Sequence, residues 1–257
     1  MRKGKASYSI VELTVVISVI TVLVSLTVPG IMAVMNRVHR AQAAHHLRTI
    51  AMAHAQFISD FDRAITFSDV RSISNASGIN AINVNFFAAF LSKYNYIDDI
   101  SVWAWDFDPL VKKYKANNSA WPQKIYNKSD NKIESNFENL PISVTCGVVE
   151  CPNFDYKSLL KGKYPAAFSR GLKSDGYWDG TNGNNCGVFG DKGGLIAYYD
   201  GTVEWCTNTV GKFTKYLSNE TTSQICATIP NNHLSIQSVN YADSNFLNWE
   251  SYDACNK

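Results

Sequence analysis

The chain has 257 residues, enough for one sizeable domain with additional helical sequence. Its formal net charge of +2 lacks the basic excess typical of nucleic-acid-binding domains, so no nucleic-acid partner is indicated. Hydrophobic residues make up 46% of the chain and charged residues only 18%, and the apolar excess is concentrated near the N-terminus. This uneven distribution predicts a helical stem followed by one head domain.

The N-terminus combines a short basic stretch with a long uncharged one. Arg2, Lys3 and Lys5 have no acidic residue beside them, and residues 13–35 carry no charge. As a helix, the uncharged run would be about 35 Å long, against about 30 Å for the hydrocarbon core of a bilayer. The positive-inside rule then predicts a single-pass protein with a cytoplasmic N-terminus and an exported head. A secretory signal is the alternative, although its apolar core is usually shorter, at about 7 to 15 residues.

Glu12 lies at the head of this run, between Val11 and Leu13. A lone carboxylate that enters hydrocarbon is costly, so its position calls for an explanation. One explanation is that Glu12 lies shallow enough to stay hydrated at the interface. The other is that it acquires a partner of opposite charge, which makes a buried carboxylate tolerable.

Residues 8–17, Tyr-Ser-Ile-Val-Glu-Leu-Thr-Val-Val-Ile, resemble the Phe-Thr-Leu-Ile-Glu-Leu start of bacterial type IV pilins and type II secretion pseudopilins. The spacing from Tyr8 to Glu12, and from Glu12 to Pro29, is similar to that of the same family. This resemblance implies a prepilin-type protein, whose N-terminal helix is processed and then packed into a filament.

The resemblance also assigns roles to individual residues. Residues 1–7 would be a leader that a prepilin peptidase removes by cutting after Ser7, where the family usually has glycine. The new amino group of Tyr8 would then be methylated. Glu12 would pair with the N-terminal amine of a neighbouring subunit during assembly.

The predicted helix continues beyond the membrane segment, so that residues 8–60 form a transmembrane and amphipathic stem. One stripe of its outer half is apolar and is expected to pack against the head: Leu47, Ile50, His54, Phe57 and Phe61. Pro29 lacks an N–H group and is expected to kink or loosen the helix locally.

Four of the five histidines lie in this stem, at His39, His45, His46 and His54. His39 and His46 are about 10 Å apart along a helix, too far to bind one metal ion together. We expect hydrated or packing histidines, with pH sensing in a filament as the alternative.

Residues 61–257 are predicted to form the globular head. Local patterns indicate an amphipathic helix, an alternating strand and a β-hairpin with a tight Asp-Gly turn, at residues 85–94, 101–105 and 195–206. Both turn residues of this hairpin are expected at positive φ. The expected fold class is α+β and pilin-like, with the long N-terminal helix packed on a small antiparallel β-sheet.

Three head segments resemble those of a bacterial pseudopilin-like subgroup. They are Arg-Gly-Leu at residues 170–172, Asp-Gly-Tyr-Trp at residues 175–178 and Asp-Gly-Thr-Val-Glu-Trp at residues 200–205. Thr202 stands where the subgroup has a histidine.

All six cysteines lie in the C-terminal half: Cys146, Cys151, Cys186, Cys206, Cys226 and Cys255. An even number of cysteines behind an exporting segment favours disulfides, but the sequence leaves their pairing open. A zinc site is disfavoured because no C-x-x-C pair is present. Resemblance to pilins, whose C-terminal loop is often closed by a disulfide, implies a bond between Cys226 and Cys255.

Acidic and amide side chains crowd a glycine-rich loop, at Asp175, Asp179, Asn182, Asn184 and Asp191. Oxygen ligands at short spacing suit calcium, and major pseudopilins are known for a calcium site in the head. The same residue types are also typical of plain turns. Calcium at Asp175, Asp179 and Asp191 is therefore a hypothesis, and no other cofactor is expected.

No enzyme is predicted. His233 is the one histidine beyond the stem, and Asp106 and Asp108 precede Pro109 as turn residues do. The predicted function is a structural subunit, a pseudopilin or minor pilin of a type II secretion pseudopilus or type IV pilus-like filament. Its implied partners are other pilin or pseudopilin subunits, a prepilin peptidase, an inner-membrane assembly platform and the lipid bilayer.

The expected location is the inner membrane, with the head in the periplasm, and a filament or the cell surface after assembly. The alternative function is a membrane-anchored surface or glycan-binding protein whose head does not polymerise. That head would use some of its tryptophans, which otherwise serve as core residues: Trp103, Trp105, Trp121, Trp178, Trp205 and Trp249.

Overall fold

The computed structural model describes residues 9–79, 83–117, 120–146, 155–173, 175–180, 187–214 and 221–222. The helices in these parts are α1 (Ile10–Phe61), α2 (Phe67–Ala76), α3 (Val84–Lys93), α4 (Pro109–Asn117) and α5 (Ser135–Glu138). The strands are β1 (Tyr126–Asn127), β2 (Lys132–Ile133), β3 (Val144–Cys146), β4 (Pro165–Ser169), β5 (Gly194–Tyr198), β6 (Val203–Cys206), β7 (Phe213–Thr214) and β8 (Thr221–Thr222). This mixture of a long N-terminal helix with small antiparallel sheets agrees with the expected α+β class.

The chain divides into two compact units, Met1–Gln42 and Ala43–Lys257. Helix α1 contributes to both, and its observed bounds lie close to the predicted stem of residues 8–60. The helix continues through Pro29. The predicted head boundary at residue 61 differs from the boundary between the compact units, because the last part of α1 belongs to the second unit.

In the second unit, α1 buries one side in the main hydrophobic core. Leu47, Ile50, His54 and Phe57 are buried there, as the stripe predicted. Phe61 is 46% exposed, because the helix ends at this residue and its ring packs on Phe57 from the rim of the core.

The four strands β3 to β6 form one antiparallel sheet in the order β3-β4-β5-β6. Side chains of β5 alternate between the two faces, as the strand period of two requires. Leu195 and Ala197 join the main core, whereas Ile196 and Tyr198 join a second cluster with Leu172. Both faces of the central strands are therefore covered.

Helix α3 confirms the helix predicted at residues 85–94, but it lies deeper than an amphipathic surface helix. Nine consecutive residues from its start are buried. The amide nitrogen of buried Asn85 is bonded, since Nδ2 donates to the carbonyls of Phe137 at 2.7 Å and Leu140 at 2.9 Å, whereas its Oδ1 has no partner among the described residues. The Asn83 side chain caps the helix by accepting from the Phe86 N–H at 3.0 Å.

The strand predicted at residues 101–105 is wrong. The chain forms a 3-10 helix at Ile100–Val102, whose N-terminus is capped by the side chain of Asp99. Trp103 and Trp105 are both buried there. An apolar alternation was therefore misleading, because a tight turn brings both indole rings into the core without a sheet.

The predicted hairpin is confirmed by β5 and β6, but its turn is not the expected one. Tyr198 and Thr202 close a three-residue loop, with the Tyr198 N–H donating to the Thr202 carbonyl at 2.9 Å. Gly201 has a φ of 80°, whereas Asp200 is not at positive φ. Asp200 Oδ1 accepts from the backbone N–H and the hydroxyl of Thr202. Hydrogen bonds from Thr202 to the Asp200 side chain therefore stabilise the turn, instead of the predicted pair of positive-φ residues.

Candidate functional site

The uncharged residues 13–35 of α1 are called the apolar segment from here on. Apart from positions 26 and 29, whose side chains are not described, they are exposed. Large apolar side chains in this segment have exposed fractions between 45% and 65%. Among the described residues, α1 is the one helix long and apolar enough to cross a membrane. Such a surface is unfavourable in water, and burial in a bilayer or against another apolar surface would stabilise it.

The polar side chains of the apolar segment are satisfied within the helix. Its five hydroxyls each donate to a backbone carbonyl three or four residues earlier: Thr14, Ser18, Thr21, Ser25 and Thr27. These distances range from 2.7 to 3.1 Å. The segment therefore presents no unpaired hydroxyl to hydrocarbon, where such a group would be costly.

Glu12 caps the start of α1. Its Oε2 atom accepts a hydrogen bond from the Ser9 N–H at 2.9 Å, and Ser9 Oγ accepts from the Val11 N–H at 3.3 Å. Glu12 therefore makes the glutamate half of a capping box, whereas the Ser9 hydroxyl bonds the N–H of Val11 instead of that of Glu12. The Ser-x-x-Glu signature was visible in the sequence, but the cap was not predicted.

The bond to the Ser9 N–H leaves Glu12 able to accept hydrogen bonds from a further donor. The side chain is exposed, and an ionised carboxylate accepts more than one hydrogen bond. Glu12 can therefore cap its own helix and still meet a cation. The cleavage and methylation residues, Ser7 and Tyr8, lie outside the described residues, and Pro29 is described by its backbone alone.

Two of the six candidate disulfide cysteines are described, and neither forms a disulfide. Cys146 and Cys206 are buried free thiols, and burial raises the pKa of each. They lie on the first and fourth strands of the sheet, three interstrand spacings or about 14 Å apart, whereas a disulfide needs Cα atoms within about 7 Å. The other four lie outside the described residues, with the proposed Cys226–Cys255 bond.

The calcium candidates have other contacts in the described part of the head. Asp175 Oδ2 lies 3.3 Å from Lys173 Nζ, and its Oδ1 accepts from the Tyr177 N–H at 3.0 Å. Asp179 is buried, and Asp191 packs close to Gly180. Within the described residues, no three acidic, histidine or cysteine side chains are grouped to hold a metal ion. Asn182 and Asn184 lie outside those residues.

Arg170, the first residue of the Arg-Gly-Leu segment, forms a buried ion pair with Asp108. Arg170 Nη2 is 2.8 Å from Asp108 Oδ1, and both side chains are almost fully buried. Asp108 Oδ2 accepts from the Ser143 hydroxyl at 2.6 Å, and Arg170 Nη1 donates to the Ile142 carbonyl at 2.8 Å. Each charge is thus both paired and hydrogen-bonded, which is what burial of an ion pair requires.

The Arg-Gly-Leu and Asp-Gly-Tyr-Trp segments meet beside β5. Leu172 and Trp178 form an antiparallel bridge, so the Arg-Gly-Leu and Asp-Gly-Tyr-Trp segments close one hairpin-like loop. A Cβ atom at Gly194 would lie 2.2 Å from Trp178 Nε1 and 2.4 Å from Ser169 Oγ. Gly194 is therefore needed for the indole ring to lie against β5. The Arg-Gly-Leu and Asp-Gly-Tyr-Trp segments therefore form a packing arrangement against β5.

The tryptophans mostly belong to the core. Trp103, Trp105 and Trp178 are buried, and Trp121 and Trp205 are partly exposed. Trp249 lies outside the described residues. The described part of the head therefore offers few indole rings for the surface or glycan contact that the alternative function needs.

The stem histidines differ in environment. His45 is exposed, whereas His54 is buried against Phe87 and Tyr199, with ring centroids 4.8 and 5.5 Å away. Burial lowers the pKa of His54 to about 3. His46 stacks on Trp105, and its pKa is lowered chiefly by burial and also by the neighbouring His45.

Comparison with protein-family models gives no match, and neither curated proteins nor solved structures yield a significant match to this chain.

Proposed function

We propose that the chain is a membrane-anchored structural subunit, a pseudopilin or minor pilin, that is added to a filament through its N-terminal helix. The observation that carries this proposal is the exposed apolar segment with Glu12 at its head. Bilayer lipid covers the segment before assembly, and the helices of neighbouring subunits cover it afterwards. The resemblance of residues 8–17 to prepilins implies that the chain is cleaved after Ser7 and methylated at the amino group of Tyr8.

The head fits a structural rather than a catalytic role. Its buried ion pair, Asp108 and Arg170, links segments that are distant in sequence. The last part of α1 is part of the core of this unit.

The proposed orientation places the N-terminus in the cytoplasm. Arg2, Lys3 and Lys5 precede the apolar segment, and Arg37 and Arg40 follow it directly. The basic excess on the N-terminal side is small, so the orientation depends on the prepilin resemblance as well as on charge.

Comparing Glu12→Gln with Glu12→Ala tests the assembly role of this carboxylate. Glutamine retains an oxygen that can accept from the Ser9 N–H, so it preserves the helix cap but removes the charge. Alanine removes both the accepting oxygen and the charge. If Glu12 pairs with an amine of a neighbouring subunit, both variants lose filament assembly, measured as subunit recovered in the sheared filament fraction.

The two variants should nevertheless differ in the helix itself. We expect Glu12→Ala to fray the start of α1, seen as faster amide exchange there, while Glu12→Gln stays protected. Normal assembly of Glu12→Gln together with loss in Glu12→Ala would assign Glu12 to capping alone. Normal assembly of both variants would favour the non-polymerising alternative.

A further inference from the structure

The charge of α1 changes abruptly where the apolar segment ends. Residues 13–35 are uncharged, and Arg37 and Arg40 follow within about one and a half turns. No acidic residue occurs between Glu12 and Asp60. Because the two arginines are three positions apart on one helix, they are neighbours on its surface. Within the helix itself, the charged side chains at this end of the segment are therefore all positive.

Exposed apolar side chains surround these arginines. Val34, Met35 and Val38 have exposed fractions of 58%, 46% and 43%; Arg37 is exposed and Arg40 is half-buried. Interleaved basic and apolar side chains are typical of helix segments at the level of lipid headgroups, where the apolar groups reach the acyl boundary and the cations meet phosphates.

The distances along the helix agree with that level. If residues 13–35 span the hydrocarbon core, Arg37 and Arg40 lie about 3 and 8 Å beyond its edge, within a headgroup layer about 5 to 8 Å thick on each side. Headgroup phosphates are the most abundant anions at this depth. A guanidinium group also matches a phosphate in geometry, since it donates two parallel hydrogen bonds to two oxygens.

We propose that Arg37 and Arg40 form a binding site for the phosphodiester headgroup of an anionic phospholipid where α1 leaves the membrane. This site rests on the proposed membrane anchoring but not on filament assembly. It would hold the subunit at a fixed depth in the bilayer before the subunit is added to a filament.

The test uses the full chain reconstituted in phosphatidylcholine vesicles with and without phosphatidylglycerol. Electron paramagnetic resonance of spin-labelled lipids compares the association of each lipid with the protein. We expect a several-fold preference for phosphatidylglycerol, because each arginine near an anionic surface changes a binding constant by up to about fivefold. The Arg37→Gln/Arg40→Gln variant should lose this preference, and Arg37→Lys/Arg40→Lys should retain part of it.

The matched control is Lys112→Gln/Lys132→Gln, which removes the same charge from two exposed positions of the head. This variant should keep the preference of the wild type. Inorganic phosphate serves as the soluble probe. If it abolishes the preference while chloride at the same ionic strength does not, the site takes free phosphate and the lipid assignment is overturned.

Resistance of the protein to alkaline extraction from the vesicles distinguishes the proposal of membrane anchoring from the proposal of a headgroup site. A chain that is extracted from the vesicles overturns both membrane anchoring and the headgroup site. An inserted wild-type chain without lipid preference, or an inserted glutamine variant that retains it, overturns the headgroup site alone. Neither result changes what the Glu12 variants report about assembly.

Discussion

Asp108 has three hydrogen-bond donors around a carboxylate that is completely buried. Besides Arg170 and Ser143, the Leu110 N–H donates to its Oδ1 atom at 2.9 Å, so the same side chain also caps α4. Removing one partner of such a pair leaves the other charge buried without compensation. The stability of the head should therefore depend strongly on this residue.

We expect Asp108→Asn to lower the free energy of unfolding of the head by about 3 to 5 kcal/mol, because Arg170 keeps its charge and loses the opposing one. Urea unfolding of the detergent-solubilised chain, followed by tryptophan fluorescence, measures the change. Asp106→Asn is the matched control, since Asp106 forms an exposed ion pair with Lys115 and should cost less than about 1 kcal/mol. Equal losses in both variants would contradict the role of the buried pair.

The sequence predicted one part of what Asp108 does. Aspartate followed by Pro109 is typical of a turn, and a turn followed by a helix start is what the structure has. Arg170 lies 62 positions away in the chain, so no local pattern could connect the two. The capping role of Glu12 is different, because the Ser9-x-x-Glu12 signature is local and was available from the sequence.

His54 lies where α1, α3 and the end of β5 meet. No described group accepts from or donates to its Nε2 atom, and aromatic rings surround it. Burial alone depresses its pKa, because the charged imidazolium would lose its hydration. The packing of these three elements is therefore compatible with neutral His54 only.

The free energy of unfolding of the head is therefore predicted to fall at acid pH. The unfolded chain binds a proton at His54 below its ordinary pKa of 6.5, whereas the folded chain resists protonation down to about 3. The contribution of His54 is thus fully present above pH 6.5 and is lost as the pH falls toward 3, by at most about 1.4 kcal/mol for each pH unit.

Unfolding at a series of pH values measures this effect. His54→Leu should flatten the loss of stability between pH 6.5 and 3, since the proton-binding difference disappears. Met52→Leu, at an exposed position of the same helix, changes no titratable group and should retain the wild-type profile. A profile for His54→Leu that parallels the wild type would show that other groups cause the acid sensitivity.

Elements with a strong local pattern were predictable. The spacing of apolar residues identified α1 and α3, and Asp200-Gly201 identified the hairpin of β5 and β6. The alternation at residues 101–105 failed because burial of both tryptophans depends on contacts distant in sequence, such as the Ser143 N–H that donates to the Trp103 carbonyl at 2.8 Å. The short pair β1 and β2 lies in a polar stretch with no readable period.

At the scale of the whole molecule, the chain combines an exposed apolar segment with a second unit that has its own hydrophobic core. Among the described residues of that unit, both faces of the central strands and one side of the last part of α1 are covered. The longest run of exposed apolar side chains in the described parts of the chain lies in the first unit, in the apolar segment. Membrane anchoring would cover this segment before assembly of the proposed subunit, and helix packing in a filament would cover it afterwards.

The intact mass of the protein purified from its native membrane tests the proposed prepilin identity most directly. We expect a chain that begins at Tyr8 and carries one additional methyl group, because a prepilin peptidase would cut after Ser7 and methylate the new amine. A chain that retains residues 1–7 without methylation would contradict this account and favour a plain membrane anchor.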